Sequence, residues 1–253
     1  WQTVVPDAKE FFSSLPEMQL LIQAKYNKLI PYRKLKKPEK DRFKKKCLEN
    51  PEIKSSYTEY LAYYKGLIDF FSKSPDYKLK GGAHKNLYNL FTLKSLQILG
   101  KNGFLGVILP SSIYTDAGNN ELRAEIFAQT TVKELCGFIN LKKIFHDVDT
   151  RWKFCTLITR STNNNSRFEP FLAQFHQTDP QCLINFRYNA FEYNSTLIEL
   201  CLDRLSSFVE CGDSITAQIL LKLYKNPLLN SAEWEFYPQA VEFNMTTHSY
   251  LFH

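Results

Sequence analysis

The middle of the chain alternates between apolar runs of helical length and apolar runs of strand length. Residues 87–99 are apolar on most sides, which is typical of a helix buried between layers. Residues 104–109 form a continuous apolar run, which favours a central strand covered on both faces. The next predicted element is a helix capped by Asn119 or Asn120. Three further strands are predicted at residues 132–139, 152–159 and 168–175. This alternation predicts an α/β fold with a mostly parallel sheet.

The last two predicted strands are close in sequence. Residues 152–159 and 168–175 are separated by the polar run Asn163-Asn164-Asn165-Ser166. A polar turn between two apolar runs indicates a hairpin, so these strands are predicted to form an antiparallel pair at the edge of the sheet.

The first 80 residues have a different character, helical and basic. Prolines separate the predicted helices, which lie at residues 8–15, 17–29, 39–48 and 57–71. In the last of these helices the apolar residues repeat at i, i+3 and i+4, as in a packed stripe. We expect this stripe to be core, with base stacking as the alternative. The charged helix at 39–48 is interpreted either as a solvated surface or as a source of phosphate contacts.

These changes of character divide the chain into three parts. Residues 1–80 are predicted to be a helical, basic insertion, which ends near Gly81-Gly82. Residues 81–178 carry the alternating pattern. Residues 179–253 return to helical spacing and are interpreted as a connector.

Charge and cysteine content narrow the function classes only slightly. The net charge is +6 and the sequence pI about 8.9, which permits a polyanion as partner. The six cysteines include no C-x-x-C pair, so zinc-finger and disulfide-framework spacing are absent and a reducing cytoplasm is expected. No apolar run approaches the ~20 residues needed to span a bilayer, so no membrane partner is expected. The chain opens at Trp1 without a Met, and we interpret it as a fragment without a signal peptide.

Several short motifs follow one another in a recognisable order. The chain opens with Trp1-Gln2-Thr3-Val4-Val5 and then Lys9-Glu10-Phe11-Phe12. A long run from Gly103 to Arg123 has the form G-x-x-G-x-I-x-P-S-S-I-x-x-D-x-G-x-x-x-L-R. Ile144-Phe145 and then Lys153-Phe154 complete the series. In this order the motifs resemble the large adenine-N6 DNA methyltransferases of type IIG restriction-modification enzymes and BREX phage-defence systems.

The resemblance implies a fold and a cofactor. It implies the C-terminal half of a class I methyltransferase, which uses S-adenosylmethionine (AdoMet), with a mixed sheet, an antiparallel hairpin at its edge and a helical basic insertion. The family's Asn-Pro-Pro-aromatic motif would end just before or at Trp1, but the Asn-Pro-Pro is absent. No G-x-G cofactor loop is present either. The expected partners are therefore double-stranded DNA and the missing N-terminal half of the domain.

The resemblance also assigns roles to particular residues. Trp1 would be the aromatic of the catalytic motif, and Phe145 would pack against an adenine flipped out of the duplex. From the residues alone, Phe145 could instead be a core side chain, and a terminal Trp1 could be disordered.

Four basic residues are candidates for nucleic-acid contacts: Arg151, Lys153, Lys36 and Lys37. Ordinary surface charge is the alternative for each of them. No metal ligands are predicted, and Asp116, His146, Asp147 and Asp149 are interpreted as loop-shaping or capping residues.

Together these observations predict a fragment of an AdoMet-dependent DNA adenine-N6 methyltransferase that is inactive alone. The alternatives are a non-catalytic nucleic-acid-binding module and a structural domain of a restriction enzyme. The recognition sequence, any nuclease activity and the oligomeric state stay open.

Overall fold

The computed structural model describes residues 5–77, 86–162, 169–201 and 207–227. Trp1, the glycine pair at 81–82 and the polar run at 163–166 lie outside the described residues. None of the helices in the described ranges combines the length and the apolar composition that a membrane crossing requires.

The N-terminal part is helical, as predicted. Asp7 caps the first helix by accepting a hydrogen bond from the Lys9 N–H (2.7 Å), and Asn50 caps the fourth by accepting one from the Glu52 N–H (2.9 Å). Proline, which has no N–H to lose, occupies the first or second position of the other two. The four helices are α1 (Ala8–Ser13), α2 (Pro16–Tyr26), α3 (Lys37–Cys47) and α4 (Pro51–Lys73).

These helices share a core of their own, separate from the core of the sheet. Its buried members come from all four helices and from the short turn between α2 and α3: Phe12, Met18, Ile22, Tyr32, Leu35, Phe43, Cys47 and Ile53. Helix α1 packs aromatic rings against the start of α4, with the Phe11 and Tyr57 centroids 4.9 Å apart. The basic residues of this part are therefore mounted on a packed scaffold.

Helix α4 corrects one expectation. Its aromatic stripe was predicted to be core, but Ile53 is the only fully buried residue of the helix. Of the stripe, Tyr57, Tyr60 and Tyr64 are half-buried, and Leu61 is exposed. The spacing suits a packed face, but the contacts that reach it come from α1, from Lys44 of α3 and from the turn after α4, and they leave it partly exposed. The turn after α4 also contacts the rest of the chain, because the Asp76 carboxylate accepts a hydrogen bond from Lys94 Nζ (3.1 Å).

The described residues from 86 onward form an α/β unit built on a five-stranded mixed sheet. The strands are β1 (Phe104–Pro110), β2 (Thr130–Ile139), β3 (Lys153–Ser161), β4 (Phe171–Gln177) and β5 (Phe191–Tyr193). The helices around it are α5 (Leu87–Ile98), α6 (Ser112–Thr115), α7 (Asn120–Gln129), α8 (Phe186–Asn189), α9 (Ser195–Glu199) and α10 (Ser214–Leu223). The predicted helices at 87–99 and after Asn119 are confirmed.

The strand order is β1-β3-β2-β4-β5, and it overturns two predictions. Strands β3 and β4 do not pair, because β2 lies between them, so the expected hairpin is wrong. Among the described strands, β2 and β4 pair in parallel and the other three pairings are antiparallel, so the sheet is not mostly parallel. The cause is β3, which returns after a long loop and inserts between β1 and β2.

This order also places β1 at one end of the sheet, although its apolar run predicted a central strand. Within the described residues β1 pairs with β3 alone. Phe104 is 64% exposed and Ile108 51% exposed. The strand has a central strand's composition without a second neighbour.

The core of the sheet extends well beyond the predicted boundary at residue 178. Phe171 and Tyr193 stack with ring centroids 5.1 Å apart, and Phe208 packs against both rings. Leu197, Cys201, Phe208 and Cys211 belong to the same buried cluster as the strands. Residues on both sides of that boundary therefore share one core.

Candidate functional site at the carboxyl edge of the sheet

The carboxyl ends of β1 and β2 lie at one edge of the sheet. Both strands are antiparallel to β3, so they run in the same direction and end beside its first residues. The Ser111 N–H donates to the Lys153 carbonyl (3.1 Å), and the Asn140 N–H donates to the Trp152 carbonyl (3.0 Å). The segment after β1 and the loop at residues 140–152 are thereby brought together.

Asn140 organises that loop. Its side chain is completely buried. Its Nδ2 donates to the carbonyls of Phe145 and Val148, and its Oδ1 accepts from the Phe145 N–H, each at 2.9 Å. Sequence reasoning missed this residue, although a polar residue directly after an apolar strand is the kind of signal that identifies a loop anchor.

Phe145 is partly buried and partly exposed to solvent. Its ring meets the ring of Phe154 edge-on, with centroids 4.9 Å apart, and Phe154 in turn stacks on Phe138 at 5.0 Å. The residue is nevertheless 37% exposed. Phe145 is thus neither a core residue nor a mobile one, and it offers a fixed aromatic surface at the sheet edge.

Arg151 and Lys153 lie at the same edge, but both have acidic partners. Arg151 forms a two-point ion pair with Asp149, with Nε–Oδ1 2.9 Å and Nη2–Oδ2 2.8 Å. Hydrogen bonding from Arg151 lowers the pKa of Asp149 to about 2. The Arg151 side chain is still 87% exposed, so the guanidinium remains accessible to an anion. Asp116 and Asp149 accept backbone hydrogen bonds two residues ahead, which confirms their predicted capping role.

Lys153 belongs to a partly exposed polar cluster that the sequence did not suggest. Its ammonium group pairs with Glu210, which also accepts from the Tyr114 hydroxyl (2.8 Å). His176 Nε2 is 3.9 Å from the same carboxylate, and His176 has a left-handed backbone (φ 60°). Burial raises the pKa of Tyr114, so its hydroxyl stays a donor. These residues come from four distant segments, and no local pattern could have linked them.

A second network fixes the turn after β1. The Tyr88 hydroxyl and Ser112 Oγ are 2.9 Å apart, and Asn119 Nδ2 donates to both Tyr88 Oη (3.0 Å) and the Ser112 carbonyl (2.8 Å). The buried Arg123 donates to the carbonyls of Ile113 (2.9 Å) and Asp116 (2.7 Å). Burial lowers the pKa of this guanidinium to about 10. The turn is therefore rigid before any ligand arrives.

An open groove of about 450 Å³ separates this turn from the start of β3. Its walls are Pro110, Ser111, Ser112, Arg151, Trp152 and Lys153. Hydroxyls, one exposed guanidinium and one exposed indole suit a planar group attached to an anion. Within the described ranges, no group of three or more His, Cys, Asp or Glu side chains could hold a metal ion.

The other predicted site residues lie apart from this edge. Lys36 and Lys37 are exposed at the start of α3, in the helical part with its separate core. The structure therefore gathers Phe145, Arg151 and Lys153 and leaves the two lysines elsewhere.

A comparison of the sequence with known protein families identifies a related family. Residues 31–145 match the Eco57I restriction-modification methylase family. The matched segment begins at the turn before α3 and ends at Phe145, so it covers a little under half of the chain. No curated protein matches the chain.

The Eco57I match confirms the family resemblance seen in the motifs. It supports a methyltransferase function with DNA as the substrate. Within the matched segment lie Lys36, Lys37, Asn140 and Phe145.

Proposed function

We propose that this chain is the C-terminal part of the catalytic domain of an AdoMet-dependent DNA adenine-N6 methyltransferase from a restriction-modification or phage-defence system. In this proposal the complete enzyme flips an adenine out of the duplex and methylates its amino group. The carboxyl edge of the sheet forms one wall of the pocket for the flipped base.

One observation carries the proposal: Phe145 is fixed by Asn140 and Phe154 yet keeps an exposed ring at this edge. A flipped base loses its stacking in the duplex and needs a replacement. Stacking on an aromatic side chain contributes roughly 1–3 kcal/mol per base. A ring that is held in place before binding supplies this contact without an ordering cost of its own.

The sheet supports the same assignment. Strands β1 and β2 run in the same direction, and the antiparallel β3 lies between them. This order fits the end of a class I methyltransferase sheet. The open side of β1, with the exposed Phe104 and Ile108, fits the place where the other half of the sheet would pair. The missing N-terminal half of the domain is therefore the expected partner.

The residues of this chain do not fit a holder for AdoMet. Its glycines form no G-x-G turn, and β1 leads into Pro110-Ser111-Ser112. We assign the cofactor to a part of the enzyme outside this sequence and derive no step through it. The contribution of this chain is to hold the base with Phe145, and to hold neighbouring phosphates with Arg151.

The evidence that Trp1 and Lys153 contact DNA is weaker. Trp1 stays the proposed aromatic of the catalytic motif on sequence grounds alone, since it lies outside the described residues. Lys153 is 34% exposed and already paired with Glu210, so any phosphate contact would compete with that ion pair.

The test uses the natural protein that contains this chain together with the segment encoded upstream of Trp1. It is expressed in a host whose DNA carries no methylation, and the DNA is digested to nucleosides and analysed by mass spectrometry. We expect N6-methyladenine from the wild type and a loss of at least tenfold with Phe145→Ala, as expected for losing at least ~1.4 kcal/mol of stacking. Tyr188→Ala, which removes an exposed aromatic side chain outside the loop at residues 140–152, is the control.

Methylation at cytosine, or no effect of Phe145→Ala, would refute the proposal. Equal DNA binding by the 253-residue chain with and without AdoMet, and no methylation by the longer protein, would instead favour a non-catalytic nucleic-acid-binding module.

A further inference from the structure

The positive charge of the chain is concentrated in the matched helical segment. Residues 31–46 contain nine basic and two acidic side chains, a net charge of +7, while the whole chain carries +6. The structure shows what these basic side chains do, and it separates them into two groups.

The first group is used inside the helical part. Lys40 Nζ donates to the Arg33 carbonyl (3.2 Å) and lies 5.6 Å from the centre of the Tyr32 ring. Lys44 Nζ lies 5.3 Å from the ring centres of both Phe12 and Tyr57. These two lysines stabilise the packing of the helices by cation–π contact and hydrogen bonding.

The second group points away from the core. Its members are exposed, and within the described residues their side chains have no hydrogen bond or ion pair. On α3 itself, Asp41 is the acid that shares their side of the helix, because Glu39 turns inward to Lys25 and Tyr26. We call this set the outer basic face: Arg33, Lys34, Lys36, Lys37, Arg42, Lys45 and Lys46.

The outer basic face is held in a fixed shape from behind. The apolar residues that lie between its members in the sequence are all buried: Tyr32, Leu35, Phe43 and Cys47. Glu39 ties the first turn of α3 to α2 through Lys25 and Tyr26. Seven like charges on a rigid surface repel one another, and a polyanion relieves that repulsion.

We propose that the outer basic face binds the phosphate backbone of double-stranded DNA at a distance from the flipped base. The inference rests on the proposed function, because it takes DNA as the substrate. Helix α3 has 11 residues, about 16 Å, which spans roughly five phosphates along one strand.

The position of the face gives it a separate role. Helix α4 starts in the helical core, and the turn after its last residue contacts α5 through Asp76. With 23 residues, α4 is roughly 34 Å long. We assign the outer basic face to phosphates other than those bound by Arg151, because it belongs to the helical part with its separate core, and there it adds affinity without reading sequence.

The test measures the salt dependence of DNA binding by the 253-residue chain, using fluorescence anisotropy with a labelled duplex. The variant combines Lys34→Gln, Lys37→Gln, Lys45→Gln and Lys46→Gln. We expect the slope of log K against log salt to decrease in magnitude by about 3 to 4, since each phosphate contact contributes about 0.9. A matched variant replaces four other exposed lysines by Gln and should keep the wild-type slope within about one contact: Lys65, Lys73, Lys101 and Lys225.

Replacing the four outer lysines by Arg should preserve the slope, which separates lost charge from a lost fold. Equal slopes for the two Gln variants, or wild-type binding without salt dependence, overturn the inference. Competition by polyglutamate as strong as by DNA also overturns it and identifies an acidic protein as the partner. N6-methylation by the longer protein combined with equal slopes rejects this inference alone. Unequal slopes without any methylation reject the proposed function alone.

Discussion

The side-chain amide of Asn140 forms hydrogen bonds with both the N–H and the carbonyl of Phe145, each at 2.9 Å. Two bonds to one residue fix the backbone on both sides of its side chain. From that backbone the ring of Phe145 lies against the ring of Phe154. The presentation of the exposed ring therefore depends on a buried amide five residues earlier.

Replacing Asn140 by Ala should destabilise the protein by about 2–3 kcal/mol, because three hydrogen bonds disappear and the Phe145 N–H and the Val148 carbonyl lose this partner. Urea unfolding gives the free energy, and hydrogen exchange at the Phe145 amide should accelerate more than at β-sheet amides. Asn189→Ala, at an exposed position, should stay within about 0.5 kcal/mol of wild type. Unchanged exchange at Phe145 would show that Asn140 does not hold the loop.

Replacing Phe145 by Trp should preserve methylation in the longer protein, while Leu should reduce it, because Leu keeps the apolar volume but has no ring face for a base. The comparison separates stacking from packing against Phe154. Both variants are first checked for unfolding midpoints within a few degrees of wild type. Equal rates for Trp and Leu would mean that the ring serves only to pack.

Glu210 should stabilise the protein through its two partners. Glu210→Ala leaves the Lys153 ammonium and the buried Tyr114 hydroxyl unpaired, and we expect a loss of about 2–3 kcal/mol. Glu210→Gln keeps an acceptor for Tyr114 and should cost less. A double-mutant cycle with Tyr114→Phe measures the coupling of that pair, which is expected to be about 0.5–3 kcal/mol. The exposed Glu199→Ala is the control, and additive effects would show that the hydroxyl does not bind the carboxylate.

Acid should loosen the joint between α2 and α3. Hydrogen bonds from Lys25 and Tyr26 lower the pKa of Glu39 from 4.5 to about 2. Because the folded pKa is the lower one, this contribution is fully present above pH 4.5 and is lost as the pH falls towards 2. Unfolding measured between these limits should become less steeply dependent on pH in Glu39→Gln. Glu49→Gln, which removes an exposed charge without an ion pair, should keep the wild-type steepness, and a wild-type slope in Glu39→Gln would contradict the assignment.

Local patterns predicted most helices and strands, and the reason is physical. The burial of α5 and the cap of α7 depend on residues within a few positions, so periodicity and capping preferences suffice. Strand β1 was also correctly located, at Phe104–Pro110 against a prediction of 104–109.

The errors concern long-range pairing. Which strand lies beside β3 depends on how a long loop returns, and adjacency in sequence favoured the wrong neighbour. The stripe on α4 had the right spacing for burial, but spacing cannot supply the surface that covers it. Glu210 was missed because its contact with Tyr114 is tertiary, 96 positions apart in the sequence. Asn140 is a different case, because its partners lie only five and eight positions away and its place directly after β2 was a local signal.

The open side of β1 has a consequence for handling the isolated polypeptide. Strand β1 is rich in Leu, Ile and Val, and along its open side the N–H and carbonyl groups pair with no other strand among the described residues. Such an edge can pair with a strand of another chain. No lysine or proline interrupts β1 before Pro110. At high protein concentration, copies should therefore adhere strand to strand, and solubility should improve when a charged side chain replaces Ile108 on that border.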